Sequence, residues 1–292
     1  MIGLFYNKKD NTTMKPLVLN ADYMIPFSEM PNVSKETEIH FTRFGTNHLP
    51  GGIPVFVNNN AKKIFCHVNE PTTSEWTEPV SNIIKYHTSY DKIITTNSEI
   101  LTSCPNSLFM AYGTTWLNKS AHHPDSFGHY TENLSELDKD LSISMVCGSL
   151  HGKTGYNIRH EIYHNQDKIK IEKRFYSSTR VPIPNVQQLP NDDKINLFNS
   201  MYSIAIESSQ ETNYFTEKLI DCLITKTIPV YWGCPNISEF FDTSYWIDRS
   251  DVINFKYSSE YYYDNTEKIN KNCEIAKQYC VNIIERILGI IK

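Results

Sequence analysis

From Ile206 to Pro235 the chain reads IESSQETNYFTEKLIDCLITKTIPVYWGCP, and this segment restricts the fold more than any other. The spacing predicts a strand over Ser203 to Glu207, a polar loop, a helix from Thr216 to about Lys226, and an apolar strand over Ile228 to Trp232 ending in a Gly turn. Thr216 is a good N-cap, and Glu217 falls in the first turn, where the helix dipole favours a carboxylate. Two apolar strands joined through a helix make a βαβ unit, which requires a parallel sheet covered by helices.

The pattern recurs. Short β-like runs fall at Pro16 to Asn20, Ile53 to Val57, Lys63 to His67, Lys92 to Thr96 and Ser107 to Tyr112, with a helical spacing at Val80 to His87. Asn118 to Asp140 is polar, and is expected to be an interdomain linker and loop. Beyond it come a strand Ser142 to Cys147, a loop Gly148 to Gly155, a helix Tyr156 to His164 and a strand Lys168 to Glu172. Thr266 to Ile291 spaces its apolar residues as one helical stripe, expected to dock back onto the first domain. The fold class is therefore α/β, with two Rossmann-like domains facing across a cleft, divided as residues 1–138 and 139–292. The 292 residues, 40% hydrophobic, suffice for two cores.

Charge narrows the function. The formal net charge is -5, so no global basic field draws in nucleic acid, and an anion must be held by a few placed groups. No run approaches the roughly 18 apolar residues of a membrane span, and MIGLFYNKKDNTT lacks the apolar core of a secretory signal. A cytoplasmic location and a bare catalytic unit are the corresponding expectations. Seven scattered cysteines read as buried free thiols rather than a disulfide framework or zinc site.

Three features invite chemistry. Gly148-Ser149-Leu150-His151-Gly152-Lys153-Thr154 follows a strand and precedes a helix, but it is one residue short of a Walker A loop. A plain turn and a looser phosphate-facing loop, with Gly148 and Ser149 offering amides, both remain open. Arg159, in the next helix, is able to reach a diphosphate bidentately, although a solvated helix face explains it as simply. Asp138-Lys139-Asp140 resembles a metal-binding DxD, but it precedes a strand instead of ending one and reads as a solvated charge cluster. In the 206–235 segment, Glu217 is placed to face ribose hydroxyls and Lys218 to meet phosphate; capping and solvation account for both charges equally well.

The strings NYFTEKLID and TIPVYWGCPNISEFF, within Ile206 to Asp242, resemble the donor-binding block of the α1,3-fucosyltransferases, glycosyltransferase family 10. The likeness is close over about forty residues and fades to layout alone in the first 140. It implies a GT-B fold, transfer of fucose from GDP-fucose to a glycan hydroxyl with inversion, and no required cofactor or metal. Nucleotide sugar and glycan acceptor are the implied partners. By the same resemblance Arg159 binds the diphosphate, Tyr214 contacts the donor, Glu217 binds ribose and Lys218 neutralises phosphate. Glu207 is the acidic member of a Glu-Asn-Ser element near the sugar or diphosphate. Ser208 stands where that element has Asn, which leaves open another nucleotide sugar such as a xylosyl donor. The first-domain base matches Glu70, in His67-Val68-Asn69-Glu70-Pro71, with Glu75 and Glu78 nearby; an exposed loop carboxylate is the plainer reading of Glu70. Gly113 to Trp116 offers hydroxyls and a ring to an acceptor sugar, or simply packs a strand end. A nucleotide-sugar-binding or carbohydrate-binding module without turnover is the non-enzymatic alternative.

Overall fold

The computed structural model describes residues 60, 62–68, 79–117, 132–179, 181–190, 193–281 and 283–291, together with the backbone of strand segments at 17–19, 37–41, 48–49 and 53–54. It divides into two units, one of residues 1–112 with 283–292, the other of residues 113–282.

The first unit is built on an all-parallel sheet of five strands: β1 (Leu17–Leu19), β2 (Thr37–Phe41), β5 (Lys62–His67), β6 (Lys92–Thr95) and β7 (Ser107–Phe109), in that order across the sheet. β2 is absent from the sequence reading because TEIHF alternates charged and apolar residues too briefly to stand out. The run at Ile53 does not join this sheet; Ile53–Pro54 (β4) makes an antiparallel pair with His48–Leu49 (β3). Pro54 cannot donate to a ladder, which suits such a short edge pairing. Helices α1 (Val80–Lys85) and α2 (Ser98–Ser103) cover the sheet, with Asn97 capping α2 through the Ile100 amide at 3.0 Å. Phe65, Ile83, Ile93 and Ile100 form the core beneath them.

The second unit carries another parallel sheet, in the order β12 (Ile247–Asp248), β11 (Ile228–Trp232), β10 (Ser200–Ile206), β8 (Asp140–Cys147), β9 (Glu172–Ser177). Helices α3 (Thr154–His164), α4 (Glu217–Ile224), α5 (Ser259–Asp264) and α6 (Thr266–Lys277) accompany it. After β8 the chain steps outward to β9, then returns to the other side of β8 to form β10. This reversal is a topological switch point, the place at the carboxyl ends of the strands where open α/β sheets bind their ligands. β10 is buried at every residue, as a central parallel strand must be.

Three expectations need correction. Lys168 to Glu172 is not a strand: Gln166–Lys168 is a 3-10 turn, and β9 begins at Glu172, in parallel register with β8 from Ser142 to Cys147. The brief Ile169/Ile171 alternation mimics a strand, whereas Ile169 is buried in the core beside the turn. The terminal stripe is two helices, α6 and α7 (Ile283–Ile291). Between them Tyr279 packs edge-on against Phe215 and at a tilt against Phe241. α6 packs on α4, while α7 belongs to the first unit, where Arg286 donates to Ala111 O and Lys62 to Ile291 O. One apolar period thus serves two different cores.

The third concerns Asp138-Lys139-Asp140, which is solvated only in part: Asp138 is exposed, but Lys139 is half-buried and bonded inside the unit. Lys139 Nζ donates to Phe198 O and, at 2.7 Å, to Thr227 Oγ1, and burial lowers its ammonium to about 7. Asp140 starts β8 and pairs with Arg174. The division between units falls at residues 112 and 113, compared with the expected 138 and 139. Thr114, Thr115 and Leu117 are buried within the second unit, and residues 118–131 lie outside the described residues. All seven cysteines are free and buried. No helix among the described residues is long and apolar enough to cross a membrane.

Candidate functional site

The crevice at the switch point is built from two loops in backbone contact. Glu207 follows β10, and its N–H donates to Trp232 O at 2.9 Å, extending the β10–β11 pairing by one residue. The first turn of α3 lies against it: Gly155 N–H donates to Ser208 O at 3.1 Å. A Cβ on Gly155 would stand 1.7 Å from Glu207 O, so only glycine lets the helix end come this close.

Arg159, one turn further along α3, donates from NH1 to Ile206 O at 2.6 Å, and its guanidinium lies 5.1 Å from the Tyr156 ring centre. The helix after β8 is thereby tied to the carboxyl end of β10. Gly148 approaches Val181, where a Cβ would meet Val181 Cγ2 at 2.6 Å, and Ser149 N–H is used by Val181 O at 2.8 Å. That amide is spent inside the protein, so the loop does not offer the pair of phosphate-facing amides expected of Gly148 and Ser149.

The α4 end carries the densest charge. Glu207 is fully buried, and it accepts from Thr216 N–H at 2.8 Å on one oxygen and from the Thr216 hydroxyl at 2.7 Å on the other. It braces the start of α4, in contrast to the sugar- or diphosphate-facing position expected of it. Burial raises its carboxyl, against the pull of Lys218 and Thr216. Lys218 Nζ lies 3.6 Å from Glu207 Oε2, 3.3 Å from Glu217 Oε1 and 3.1 Å from Thr216 Oγ1. Glu217 is also buried, which by itself raises its carboxyl, but Lys218 and Lys194 outweigh burial and hold it down to about 2. Tyr214 is 1% exposed, its hydroxyl 3.5 Å from Ser208 Oγ, so it packs beneath the loop that follows β10. Asn213, at φ 67°, turns the chain, and it is held there by reciprocal bonds with Asn236 at 2.8 Å. Asn tolerates this left-handed conformation better than most residues.

Arg159, Glu207, Ser208, Tyr214, Glu217 and Lys218 thus gather at the carboxyl end of β10 and the start of α4. Glu70, Glu75 and Glu78 lie outside the described residues. His67, at the end of β5, has its Nδ1 3.2 Å from Thr95 Oγ1, and burial lowers its imidazole to about 4, so it is neutral at physiological pH.

Lys194 and Asp221 had no sequence signal, and the signal at Gly113 to Trp116 pointed to an acceptor sugar or a packed strand end, with no hint of α4 as its partner. Lys194 Nζ lies 3.4 Å from Glu217 Oε1 and 5.0 Å from the Trp116 ring centre. Asp221 Oδ1 accepts from Thr115 Oγ1 at 2.7 Å and from Trp116 N–H at 3.0 Å, so Gly113 to Trp116 is fastened to α4. Nothing in a single sequence announces partners 23 and 106 positions apart.

Asp221 Oδ2 is buried with no hydrogen-bond partner among the described residues, and burial lifts the carboxyl from 3.8 to about 7. As pH rises from 3.8, the unfolded chain ionises first and the folded state is penalised; above about 7 the penalty is complete. Asp221→Asn keeps an acceptor for Thr115 and Trp116 and removes the titration. Relative to wild type the variant should gain stability between pH 4 and 8, up to about 4 kcal/mol. Urea unfolding across that range checks it, and a difference independent of pH rejects it.

Comparison with known proteins agrees with this geometry. Residues 145–279 match the model of the glycosyltransferase family 10 (fucosyltransferase) C-terminal domain. The chain is 36% identical over 68 residues to the alpha-(1,3)-fucosyltransferase FucT of Helicobacter pylori, a match covering 23% of this chain and 14% of that protein's length. Among solved structures, an α1,3-fucosyltransferase with GDP-fucose aligns at a TM-score of 0.46 and 16% identity, covering 91% of this chain and 81% of the other. TarM aligns at 0.43 and 14% identity, covering 86% and 53%. The match to the family model lies within the second unit, and it is to the same family that the sequence resembles.

Proposed function

We propose that the protein is an inverting glycosyltransferase moving fucose from GDP-fucose onto a glycan hydroxyl, with the donor bound by the second unit. The observation that carries this reading is the match of residues 145–279 to the family 10 C-terminal domain, with Arg159 bonded at the carboxyl end of β10 and the Glu217–Lys218 pair at the start of α4. Arg159 is suited to a bidentate grip on a diphosphate, Lys218 to its remaining charge, and Glu217, kept ionised, to accepting from ribose hydroxyls.

In the proposed step the acceptor oxygen attacks the anomeric carbon while its proton passes to a carboxylate base. The bond from that carbon to the diphosphate breaks on the opposite face, and the electron pair leaves on phosphate oxygen. Glu70 is the proposed base. Arg159 and Lys218 meet the charge that develops on the leaving group, the work a metal ion performs in other transferases, so no metal is required in this reading.

Ser208 supports one alternative, a different nucleotide sugar, because its side chain is shorter than the family's Asn. A panel of GDP- and UDP-linked sugars separates the two by thermal shift. GDP-fucose should stabilise most, by about 2.7 kcal/mol at a hundred times its dissociation constant. Preference for a UDP-sugar overturns the fucose assignment, and binding without nucleotide release on any glycan acceptor favours a non-catalytic module.

A further inference from the structure

The geometry points to Lys194 as a positioning residue of the donor site: seated on Trp116, it stays on Glu217 and releases Lys218 to meet the diphosphate. This rests on the donor-site reading above and adds a residue to it.

The reasoning begins with a count of charges. Glu207 and Glu217 are buried carboxylates with side-chain exposures of 0% and 7%, and among the described residues the cations within 4 Å of them are Lys218 and Lys194. Lys218 serves both carboxylates and Thr216 Oγ1. A single ammonium with three N–H donors cannot turn to a phosphate without uncovering one of them. An ionised buried carboxylate left without its cation is strongly penalised, so a site with Lys218 alone would bind its anion against that penalty.

Lys194 removes the conflict at Glu217, while Glu207 keeps the bonds it accepts from the Thr216 N–H and hydroxyl. Lys194 comes from a separate element, the 3-10 turn Lys194–Leu197, and meets the same oxygen of Glu217 that Lys218 meets, at 3.4 Å against 3.3 Å. Its ammonium also lies over the Trp116 indole, a cation–π contact that favours this position over solvent. Trp116 is in turn fixed through its N–H to Asp221, one turn beyond Glu217 on α4. α4 thus holds Lys194 at two points, directly through Glu217 and indirectly through Asp221 and Trp116. When Lys218 turns to a phosphate, Glu217 keeps a counter-ion and its orientation. The charged groups acting on Glu217 are Lys194, Lys218, Glu207 and Asp221; the last two disfavour its ionised form, so loss of Lys194 moves its titration upward.

The test is GDP affinity as a function of pH for wild type, Lys194→Met and Lys194→Arg, with thermal unfolding of each as the folding control. Lys194→Met should bind GDP about tenfold more weakly at pH 7, the loss deepening between about pH 6 and 4 as Glu217 protonates nearer the ordinary glutamate range. Lys194→Arg, which keeps the charge and the stacking on Trp116, should recover affinity to within about threefold of wild type. Unchanged affinity in Lys194→Met overturns the assignment. So does a loss that is the same at every pH, which is the signature of a direct phosphate contact. Wild-type protein that binds no GDP at any pH overturns the donor-site reading itself, a result distinct from either.

Discussion

Gly155→Ala is expected to destabilise the second unit by at least about 3 kcal/mol, at the upper end of what a single overpacking substitution causes. The added methyl would lie 1.7 Å from Glu207 O and 2.8 Å from Glu207 C, both backbone atoms that cannot swing aside. Helix α3 must therefore retreat from the end of β10, giving up the Gly155 to Ser208 bond and carrying Arg159 away from Ile206 O. For a unit of this size the expected fall in Tm is on the order of 10 °C. A Tm within about 2 °C of wild type would show that the approach of α3 to β10 is looser than described. The same substitution at Gly152, at φ 92° with nothing within 4 Å, adds no clash and strains only a surface loop. It serves as the comparison.

Replacing Arg159 or Lys218 by Ala should each lower the transfer rate on the order of a hundredfold, the usual consequence of losing a preorganised charge at a leaving group. The two substitutions differ in their side effects. Arg159 bonds to a backbone carbonyl and lies beside Tyr156, so Arg159→Lys keeps the charge but loses the planar fork and should restore only part of the rate. Lys218→Ala also strips a cation from buried Glu207 and Glu217 and should cost stability, about 3 kcal/mol or more. Rates must therefore be compared on protein shown to be folded by its unfolding curve. Wild-type turnover in folded Arg159→Ala removes that residue from the leaving-group role.

Legibility in the sequence followed the range of the interactions. The β10–α4–β11 unit could be read because its signals are local: Thr216 accepts from Lys218 N–H at 3.3 Å, Glu217 lies in the first turn, and the flanking strands are continuous apolar runs. The loop after β8 was found for the same reason, but its amides could not be placed. Ser149 N–H is used by Val181, thirty-two positions on, along a path set only by the register of β9. The terminal stripe misled because hydrophobic period reports burial without saying in which core.

By itself the sequence determined the alternation of strands and helices, the parallel sheets that alternation requires, and the candidate charged residues at the start of α4. Each is a consequence of dihedral preference, capping or periodicity over a few residues. Tertiary structure alone decided how those charges are satisfied. It turned Glu207 inward onto Thr216, bonded Lys139 to Thr227, placed Lys194 on Trp116 beside Glu217, and fastened the Thr115–Trp116 strap to Asp221. A buried charge takes whichever counter-ion or donor the packing delivers, and packing brings together residues that chain separation keeps apart.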